Sequence, residues 1–298
     1  MVSKELLEEF SGPPTVDLLI TGRCQMDCVC FRPAGDNALE TISLDGWYEI
    51  VKSCNSVGTR HIVFSGGEPL LFRNLPSLLE FAKSLGLRTT LSTNALLFSK
   101  LHTYVMPYVD DVGIPLDSPT PEGNAVMRPP ASLNQYQRAI EALQIIQKNY
   151  PLTDLTLRTV VSTANKNQVE QIPELLKRCD VNTKTLRWKL YQFSPAVPDA
   201  LRERAEPLLL STPEFLGICT LVRDKFRRFF GELSYFPVAV AEKNHFIVYP
   251  NGDAAILERL SQSQAEYSYL PHLQYTKLGN MVSGFDQTMA NWRQRTLL

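Results

Sequence analysis

Three cysteines, Cys24, Cys28 and Cys30, lie close together near the start of the chain. They follow the apolar segment Leu18–Ile20, so the thiols are predicted to lie in a loop after a strand. In a chain without an export signal, such clustering indicates metal binding rather than disulfides. Three thiolates suit a [4Fe–4S] cluster that leaves one iron open to a further ligand. Zinc binding and unused thiols are the alternatives, although the nearest histidine, His61, is too far along the chain to favour a closed zinc site.

A second motif, Gly66-Gly67-Glu68-Pro69, follows the next apolar segment. Two glycines let a backbone approach a ligand closely. Glu68 and exposed carbonyl groups could accept hydrogen bonds from an ammonium group. By itself the run is also typical of a tight turn. One strand–helix unit after a loop of three thiols, it favours a ligand site.

The two motifs together resemble the radical S-adenosylmethionine (SAM) superfamily, from about Val16 to Phe193. The resemblance implies an enzyme with two cofactors, a [4Fe–4S] cluster and SAM. The reduced cluster would cleave SAM to methionine and a 5′-deoxyadenosyl radical, which abstracts hydrogen from the substrate. The resemblance also implies that the cysteines bind the cluster and that the second motif binds the SAM amino group, with the residues Cys24, Cys28, Cys30, Gly66, Gly67 and Glu68.

Four further residues match family positions less specifically. Ser92 and Asn94 end the third predicted strand, where family members have residues near SAM; an ordinary polar loop is the alternative. Asp117 matches a Ser-Leu-Asp strand end, except that Pro115 replaces the serine and removes its hydrogen bond. Arg158 matches a position that often pairs with the SAM carboxylate, and an exposed salt-bridge arginine is the alternative.

The cysteine spacing departs from the family pattern. The usual motif is Cys-x3-Cys-x2-Cys, whereas this chain has Cys-x3-Cys-x-Cys, and Phe31 takes the expected third position. Loop residues two apart can converge on one metal if the backbone bends, whereas in an extended strand they point to opposite sides. We therefore expect a tightened loop that still holds the cluster. The alternative is a degenerate, non-catalytic metal-binding relative.

Short apolar segments alternate with amphipathic helical stretches through this region, which favours parallel strands joined by helical crossovers. The predicted strands are Val16–Thr21, His61–Ser65, Arg88–Ser92, Asp111–Leu116, Leu155–Val161 and Thr185–Phe193. The predicted helices are Leu44–Ser53, Leu75–Leu85, Leu133–Lys148 and Val169–Arg178. About six units are too few for a closed eight-unit barrel. The predicted fold is α/β, a partial (β/α)6 TIM-like barrel with a small C-terminal α+β cap; a doubly wound open sheet is the alternative.

The chain is predicted to divide into a radical SAM core, residues 1–200, and a C-terminal cap or substrate-covering extension, residues 201–298. In the second part, Ser211 or Thr212 could cap a helix that runs to about Phe229. A hairpin is predicted from Asn244–Tyr249 and Ala254–Leu257, with Asn-Gly at its turn. We expect this part to cover one end of the barrel.

The C-terminal segment resembles the SPASM or twitch extensions of peptide-modifying radical SAM enzymes. Those extensions carry cysteines for auxiliary clusters, whereas here no cysteine follows Cys219, so we expect a single cluster. The start of the chain, Met1–Phe10, reads as a short amphipathic helix and is too short for a leader-peptide recognition domain. Both features weaken, without removing, the hypothesis of a peptide or natural-product substrate.

The last predicted strand carries Arg187, Lys189 and Tyr191 on one face, and Trp188 on the other. This stretch is similar to one in viperin, a radical SAM enzyme that dehydrates a nucleoside triphosphate. The resemblance implies a small-molecule, nucleotide-like substrate whose phosphate meets Lys189, with Arg187 nearby. The alternative is a barrel strand in which Lys189 pairs with an acidic residue.

Composition excludes several classes of protein function and location. The chain has 298 residues, with 30 basic and 31 acidic side chains, so nucleic-acid binding is not expected. No apolar stretch is long enough for a membrane span, and no signal peptide is recognised, so a cytoplasmic enzyme is expected. An electron donor such as flavodoxin or ferredoxin is the expected partner. The three scattered cysteines, Cys54, Cys179 and Cys219, are predicted to be small core residues.

Overall fold

The computed structural model describes residues 12–29, 41–194, 202–238, 246–259 and 273–296. Its centre is one ten-stranded sheet in the order β10-β9-β8-β1-β2-β3-β4-β5-β6-β7. The first six strands are β1 (Thr15–Leu19), β2 (His61–Ser65), β3 (Arg88–Ser92), β4 (Asp111–Pro115), β5 (Asp154–Val161) and β6 (Leu186–Gln192). They pair in parallel and in chain order, and the sheet does not close. The predicted partial barrel is confirmed, and the six predicted strands all form.

Helices connect these strands and cover one face of the sheet. They are α1 (Leu44–Ser56), α2 (Leu75–Ser84), α3 (Phe98–Val105), α4 (Pro121–Met127), α5 (Gln135–Asn149) and α6 (Ile172–Arg178). The Ser43 side chain caps α1 by accepting from the Gly46 N–H. The short helices α3 and α4 were not predicted. The predicted Met1–Phe10 helix lies outside the described residues.

Alternation along the strands separates the two faces of the sheet. One set of side chains packs against the helices in the main core; it includes Leu18, Phe64, Leu91, Ile114, Leu157 and Trp188. The other set is largely polar and faces away from the helices; it includes Asp17, His61, Thr90, Asp111, Arg158 and Lys189. We call this second surface the inner face. Polar groups on a face not used for the core are candidates for ligand binding.

The C-terminal part extends the sheet at both edges. After α7 (Arg202–Ala205) and α8 (Thr212–Phe226), strand β7 (Glu232–Phe236) pairs in parallel with β6. Ser211 caps α8, as predicted, although the helix ends at Phe226. At the other edge lie β8 (Phe246–Val248), β9 (Asp253–Arg259) and β10 (Leu273–Asn280), followed by α9 (Phe285–Thr296).

The predicted hairpin forms between β8 and β9, which pair antiparallel. Gly252 in its turn has φ +83, a left-handed conformation that suits glycine. We expected this segment to lie over one end of the barrel. Instead, β8 pairs in parallel with β1, Asp17 opposite Ile247, so the hairpin continues the sheet. The pairing satisfies the backbone groups that β1 would otherwise expose at an edge.

Among the described residues, no single helix is both long enough and apolar enough to cross a bilayer. One bent pair, Arg202–Leu208 with Thr212–Phe226, meets the criteria of length and composition together.

Candidate functional site

The two described cysteines of the motif lie in an irregular loop after β1. We call residues 21–29 the cysteine loop. Cys24 and Cys28 are half-buried, and the Met26 N–H donates to Cys24 Sγ at 3.4 Å. None of the five described cysteines forms a disulfide. Two thiols in a loop at the carboxyl end of a strand fit a metal cluster, whereas Cys30 lies outside the described residues and the tightened loop stays a prediction.

The other cysteines differ in environment from those of the loop. Cys54 and Cys219 are buried in the core, as predicted, and burial raises the pKa of each thiol to about 12. Cys179 is half-buried against the core, and burial raises its pKa as well. Protonated thiols in apolar surroundings are poor metal ligands.

The Gly-Gly-Glu-Pro turn docks directly on the cysteine loop. The Gly67 N–H donates to the Thr21 carbonyl at 2.7 Å, and the Glu68 N–H donates to the Arg23 carbonyl at 2.8 Å. A Cβ on Gly67 would lie 2.3 Å from the Arg23 oxygen, so only glycine fits there. Gly66 adopts φ +133 beside the Thr21 backbone. The glycines were predicted to let a ligand approach closely. In this structure the backbone of the chain's own cysteine loop lies close to them.

Glu68 is fully buried at the end of β2, where its carboxylate joins β2 to the loop after β3. Its oxygens accept from Thr93 Oγ1 at 2.6 Å, the Asn94 N–H at 2.7 Å and the Leu70 N–H at 3.1 Å. Burial raises the pKa of Glu68 to about 7, although these three donors oppose the shift. The sequence predicts that Glu68 binds the SAM ammonium. In the structure its carboxylate joins the carboxyl ends of β2 and β3, and we call the edge formed by the carboxyl ends of β2, β3 and β4 the rim.

Asn94 connects this carboxylate to the cysteine loop. Its side-chain Nδ2 donates to Cys24 Sγ at 3.7 Å and to Gln25 Oε1 at 3.4 Å. The Asn94 backbone N–H is held by Glu68, so the two predicted motifs meet through one residue. Hydrogen bonds to ligating sulfur are among the features that set the potential of iron–sulfur clusters.

A buried chain of amides continues along the same edge of the sheet. Gln135 Nε2 donates to the carbonyls of Asn94 and Pro115, at 3.2 and 3.0 Å. Asn124 Nδ2 donates to Gln135 Oε1 at 2.7 Å, and the Asp117 N–H donates to Asn124 Oδ1 at 2.9 Å. These bonds fix the carboxyl ends of β3 and β4 relative to each other, so the rim is pre-organised.

Asp117, predicted to contact the cofactor, is fully buried in this chain of bonds. One carboxylate oxygen accepts from Arg128 Nε at 2.6 Å, and the other accepts from the Val160 N–H at 2.7 Å. Both oxygens are therefore engaged within the protein. The geometry gives Asp117 the task of joining β4 to β5, and we leave it out of the proposed binding site.

Ser92 and Arg158 meet on the inner face. Arg158 Nη1 donates to Ser92 Oγ at 2.6 Å, and Gly113 between them leaves the space, since a Cβ there would lie 2.4 Å from Arg158 Nε. Arg158 is half-buried rather than an exposed salt-bridge residue. Among the described residues its buried Nε has no hydrogen-bond partner. A guanidinium with an unused donor can bind an anion.

The side chains of β6 alternate as predicted, with Arg187, Lys189 and Tyr191 on the inner face. Arg187 forms ion pairs, since its Nη2 lies 2.8 Å from Asp111 Oδ1 and 3.3 Å from Asp154 Oδ2. Among the described residues its buried Nε has no hydrogen-bond partner, as for Arg158, so its role toward a substrate stays a prediction.

Lys189 is placed differently from Arg187. It is half-buried directly opposite Arg158 in the β5–β6 register, and its Nζ lies 5.8 Å from the centroid of the Phe236 ring. Burial lowers the pKa of Lys189, and the Arg158 charge lowers it further. Within the part of the chain that the structure describes, no carboxylate forms an ion pair with it. Tyr191 stacks on Phe236 beside it, with 4.9 Å between ring centroids.

The family model described as Radical SAM superfamily matches residues 18–176, more than half of the chain. The chain belongs to the radical SAM superfamily. This confirms the resemblance carried by the two motifs, and the superfamily is one of enzymes that use a [4Fe–4S] cluster and SAM as cofactors.

Two curated relatives have different substrates in their names. PqqA peptide cyclase of Bradyrhizobium diazoefficiens is 26% identical over 231 residues, which cover 76% of this chain and 58% of that protein. An S-adenosylmethionine-dependent nucleotide dehydratase of Lacinutrix mariniflava is 30% identical over 198 residues, 61% of this chain and 39% of that protein. The chain thus spans less than two thirds of either relative.

Solved structures share the fold at low sequence identity. SuiB of Streptococcus suis bound to its precursor peptide SuiA superposes with a TM-score of 0.68 at 14% identity, covering 84% of this chain and 61% of that one. anSMEcpe with bound AdoMet gives 0.67 at 15% identity, covering 96% of this chain and 81% of that one. Both likenesses support the partial barrel.

Sequence reasoning missed the partners that hold the predicted residues. Thr93, Gln135 and Arg128 each bind a motif residue through one or two buried hydrogen bonds. Thr93 lies between Ser92 and Asn94, so its position could have been noticed. Gln135 and Arg128 have no local pattern that marks them.

Proposed function

We propose that the cluster is held by Cys24, Cys28 and Cys30, and that SAM lies between the cysteine loop and the rim formed at Glu68 and Asn94. When bound, the reduced cluster supplies the electron that cleaves the SAM carbon–sulfur bond, giving methionine and a 5′-deoxyadenosyl radical. The radical takes hydrogen from an organic substrate. A cytoplasmic location and an electron donor such as flavodoxin or ferredoxin are part of the same proposal.

Each rim residue has a specific task in this proposal. Gly66 and Gly67 keep the rim in contact with the cysteine loop, and Glu68 orients the backbone of Asn94. Carbonyl groups of this turn accept from the SAM ammonium, with Glu68 close by. Ser92 holds Arg158, whose buried Nε is directed to the SAM carboxylate or to an anionic group of the substrate.

We infer that the substrate is a small, nucleotide-like molecule with an anionic group on the inner face. The observation that carries this inference is the register of Arg158 and Lys189, two half-buried cations side by side that form no ion pair with a carboxylate among the described residues. Burial and the Arg158 charge lower the pKa of Lys189, and the more distant charges of Asp111 and Glu232 oppose this shift. Two like charges in a low-dielectric site repel each other, and a bound anion would relieve the repulsion. A phosphate oxygen suits the compact ammonium of Lys189.

The test compares Lys189→Met with a matched control, Lys184→Met. Lys184 is exposed and precedes β6, so it does not lie on the inner face. Nucleoside triphosphates are added to each protein, and the melting temperature is measured. We expect stabilisation of the wild type and of the control, and loss of that stabilisation in Lys189→Met. No response of the wild type to any triphosphate would count against the nucleotide-like substrate.

A peptide substrate is the second candidate. The match to PqqA peptide cyclase extends over 231 residues of this chain and supports it. SuiB, which shares the fold, was solved with a precursor peptide. If a peptide is the substrate, a genomically adjacent short peptide should stimulate formation of 5′-deoxyadenosine, and Lys189→Met should leave the response to triphosphates unchanged because there is none.

A further inference from the structure

Arg204 contacts the cysteine loop from a distant part of the chain. It lies on α7, and 177 residues separate it from Asp27. Its Nη1 donates to Asp27 Oδ2 at 2.9 Å, and its Nη2 donates to the Asp27 backbone carbonyl at 2.9 Å. The guanidinium thus binds the side chain and the backbone of one residue, a residue that lies between Cys24 and Cys28.

The same loop residue is held from a second direction. The Asp27 N–H donates to the Pro129 carbonyl at 2.9 Å, in the connection between α4 and α5. Asp27 is therefore fixed through its N–H, its carbonyl and its carboxylate. Pro129, which accepts from the N–H, belongs to the barrel. Arg204, which binds the carbonyl and the carboxylate, belongs to the C-terminal part.

An apolar contact supports the hydrogen bonds. Val29 and Met127 are buried in a small cluster with three residues from the last barrel strand and the C-terminal helices, namely Phe193, Ala205 and Leu209. Ala205 is the neighbour of Arg204. The element that binds Asp27 before Cys28 therefore also contributes to the apolar cluster in which Val29, directly after Cys28, is buried.

We propose that Arg204 is a positioning residue that holds the cysteine loop in the shape needed for the cluster; this rests on the proposed cluster ligands. An irregular loop loses backbone entropy when it is ordered, and an external anchor reduces that loss at the moment of metal binding. The gap between the second and third cysteines is one residue shorter than the family pattern. A shorter gap leaves fewer loop conformations that bring three thiolates together, so the anchor matters more here.

Arg204 also acts through its charge. It neutralises the Asp27 carboxylate, which lies between two of the proposed ligands. Without Arg204 the loop loses one positive charge between two of the proposed ligands, and loss of a nearby positive charge disfavours the addition of an electron to a cluster. Loss of Arg204 should therefore move the midpoint potential in the negative direction.

The experiment uses anaerobically reconstituted full-length protein in four forms: wild type, Arg204→Gln, Arg204→Lys and the control Arg138→Gln. Arg138 forms a similar exposed ion pair, with Glu141 at 2.7 Å on α5, away from the loop. The readouts are the rate of iron release to a chelator, the midpoint potential followed by electron paramagnetic resonance, and the melting temperature without cluster.

We expect Arg204→Gln to release iron about 1.5- to 5-fold faster than wild type, the range for losing one exposed ion pair. Its potential should be more negative, Arg204→Lys should be intermediate, and the control should match wild type. Equal iron release and potential in Arg204→Gln and wild type would overturn the inference while leaving the cluster ligands intact. A wild type that takes up no cluster overturns the proposed ligands together with the inference.

Discussion

Glu68 allows a quantitative test of the rim. The side chain is fully buried, and its pKa is raised from 4.5 to about 7 because burial penalises the charged form. The folded protein therefore binds a proton that the unfolded chain releases between these two pH values. Stability from this group is fully present below about pH 4.5 and is lost as the pH rises through about 7.

The size of the effect follows from the shift. A difference of one pKa unit corresponds to 1.36 kcal/mol, so a rise from 4.5 to about 7 amounts to about 3 kcal/mol between pH 4.5 and pH 8. Glu68→Gln removes the titration. It also places an amide N–H against the Asn94 N–H, and one unsatisfied buried donor costs about 1–3 kcal/mol at all pH values.

The assay is urea unfolding of the cluster-free protein from pH 5 to pH 8. Glu80→Gln is the matched control, since Glu80 is an exposed glutamate that accepts a hydrogen bond from Tyr108. We expect the wild type and the control to lose about 2–3 kcal/mol more than Glu68→Gln as the pH rises. Parallel profiles for wild type and Glu68→Gln would refute the reasoning about burial.

Three further predictions concern buried contacts. Arg128→Met leaves the Asp117 carboxylate without its ion pair and should lower the free energy of unfolding by about 3–5 kcal/mol, measured in urea. Gly67→Ala forces a methyl group against the Arg23 carbonyl and should lower the free energy of unfolding by about 1–3 kcal/mol. It should also reduce iron uptake, which a colorimetric assay measures. Trp188→Phe leaves a buried hydroxyl without its indole donor and should lower the melting temperature by about 2–4 °C, measured by calorimetry.

The barrel strands could be predicted because each is a short segment rich in apolar or β-branched residues between helices with their own periodicity. His61–Ser65 and Arg88–Ser92 form with the predicted bounds. Along these strands, residues that pack against the helices alternate with the largely polar residues of the inner face. The Asn-Gly hairpin was predictable for a different reason, since its turn requires a residue with positive φ.

Strand β7 shows where local pattern is insufficient. Glu232–Phe236 mixes polar and apolar residues, and none of its side chains is fully buried. The segment is a strand because it pairs with β6 along its whole length. Pairing between segments distant in sequence leaves no periodicity in either one, and the same holds for the junction of β8 with β1.

The sequence predicted the motif residues of the candidate site, but it did not predict the residues that hold them in place. Motif residues such as Glu68 and Asn94 are brought together as expected. Gln135, which donates to the Asn94 carbonyl, and Arg204, which binds Asp27 in the cysteine loop, come from helices far along the chain. A hydrogen bond between distant segments leaves no pattern in the sequence. The glycines were predicted from close backbone approach, and the cysteine loop does approach them closely. Their approach to a ligand stays a prediction.

The central claim is that this chain cleaves SAM at a cluster held by Cys24, Cys28 and Cys30. The most direct measurement is the yield of 5′-deoxyadenosine from anaerobically reconstituted protein incubated with SAM and dithionite. We predict 5′-deoxyadenosine from the wild type and from Cys179→Ala, and none from Cys28→Ala. Wild-type protein that carries a full complement of iron and sulfide yet forms no 5′-deoxyadenosine, or that binds only zinc, would contradict the account.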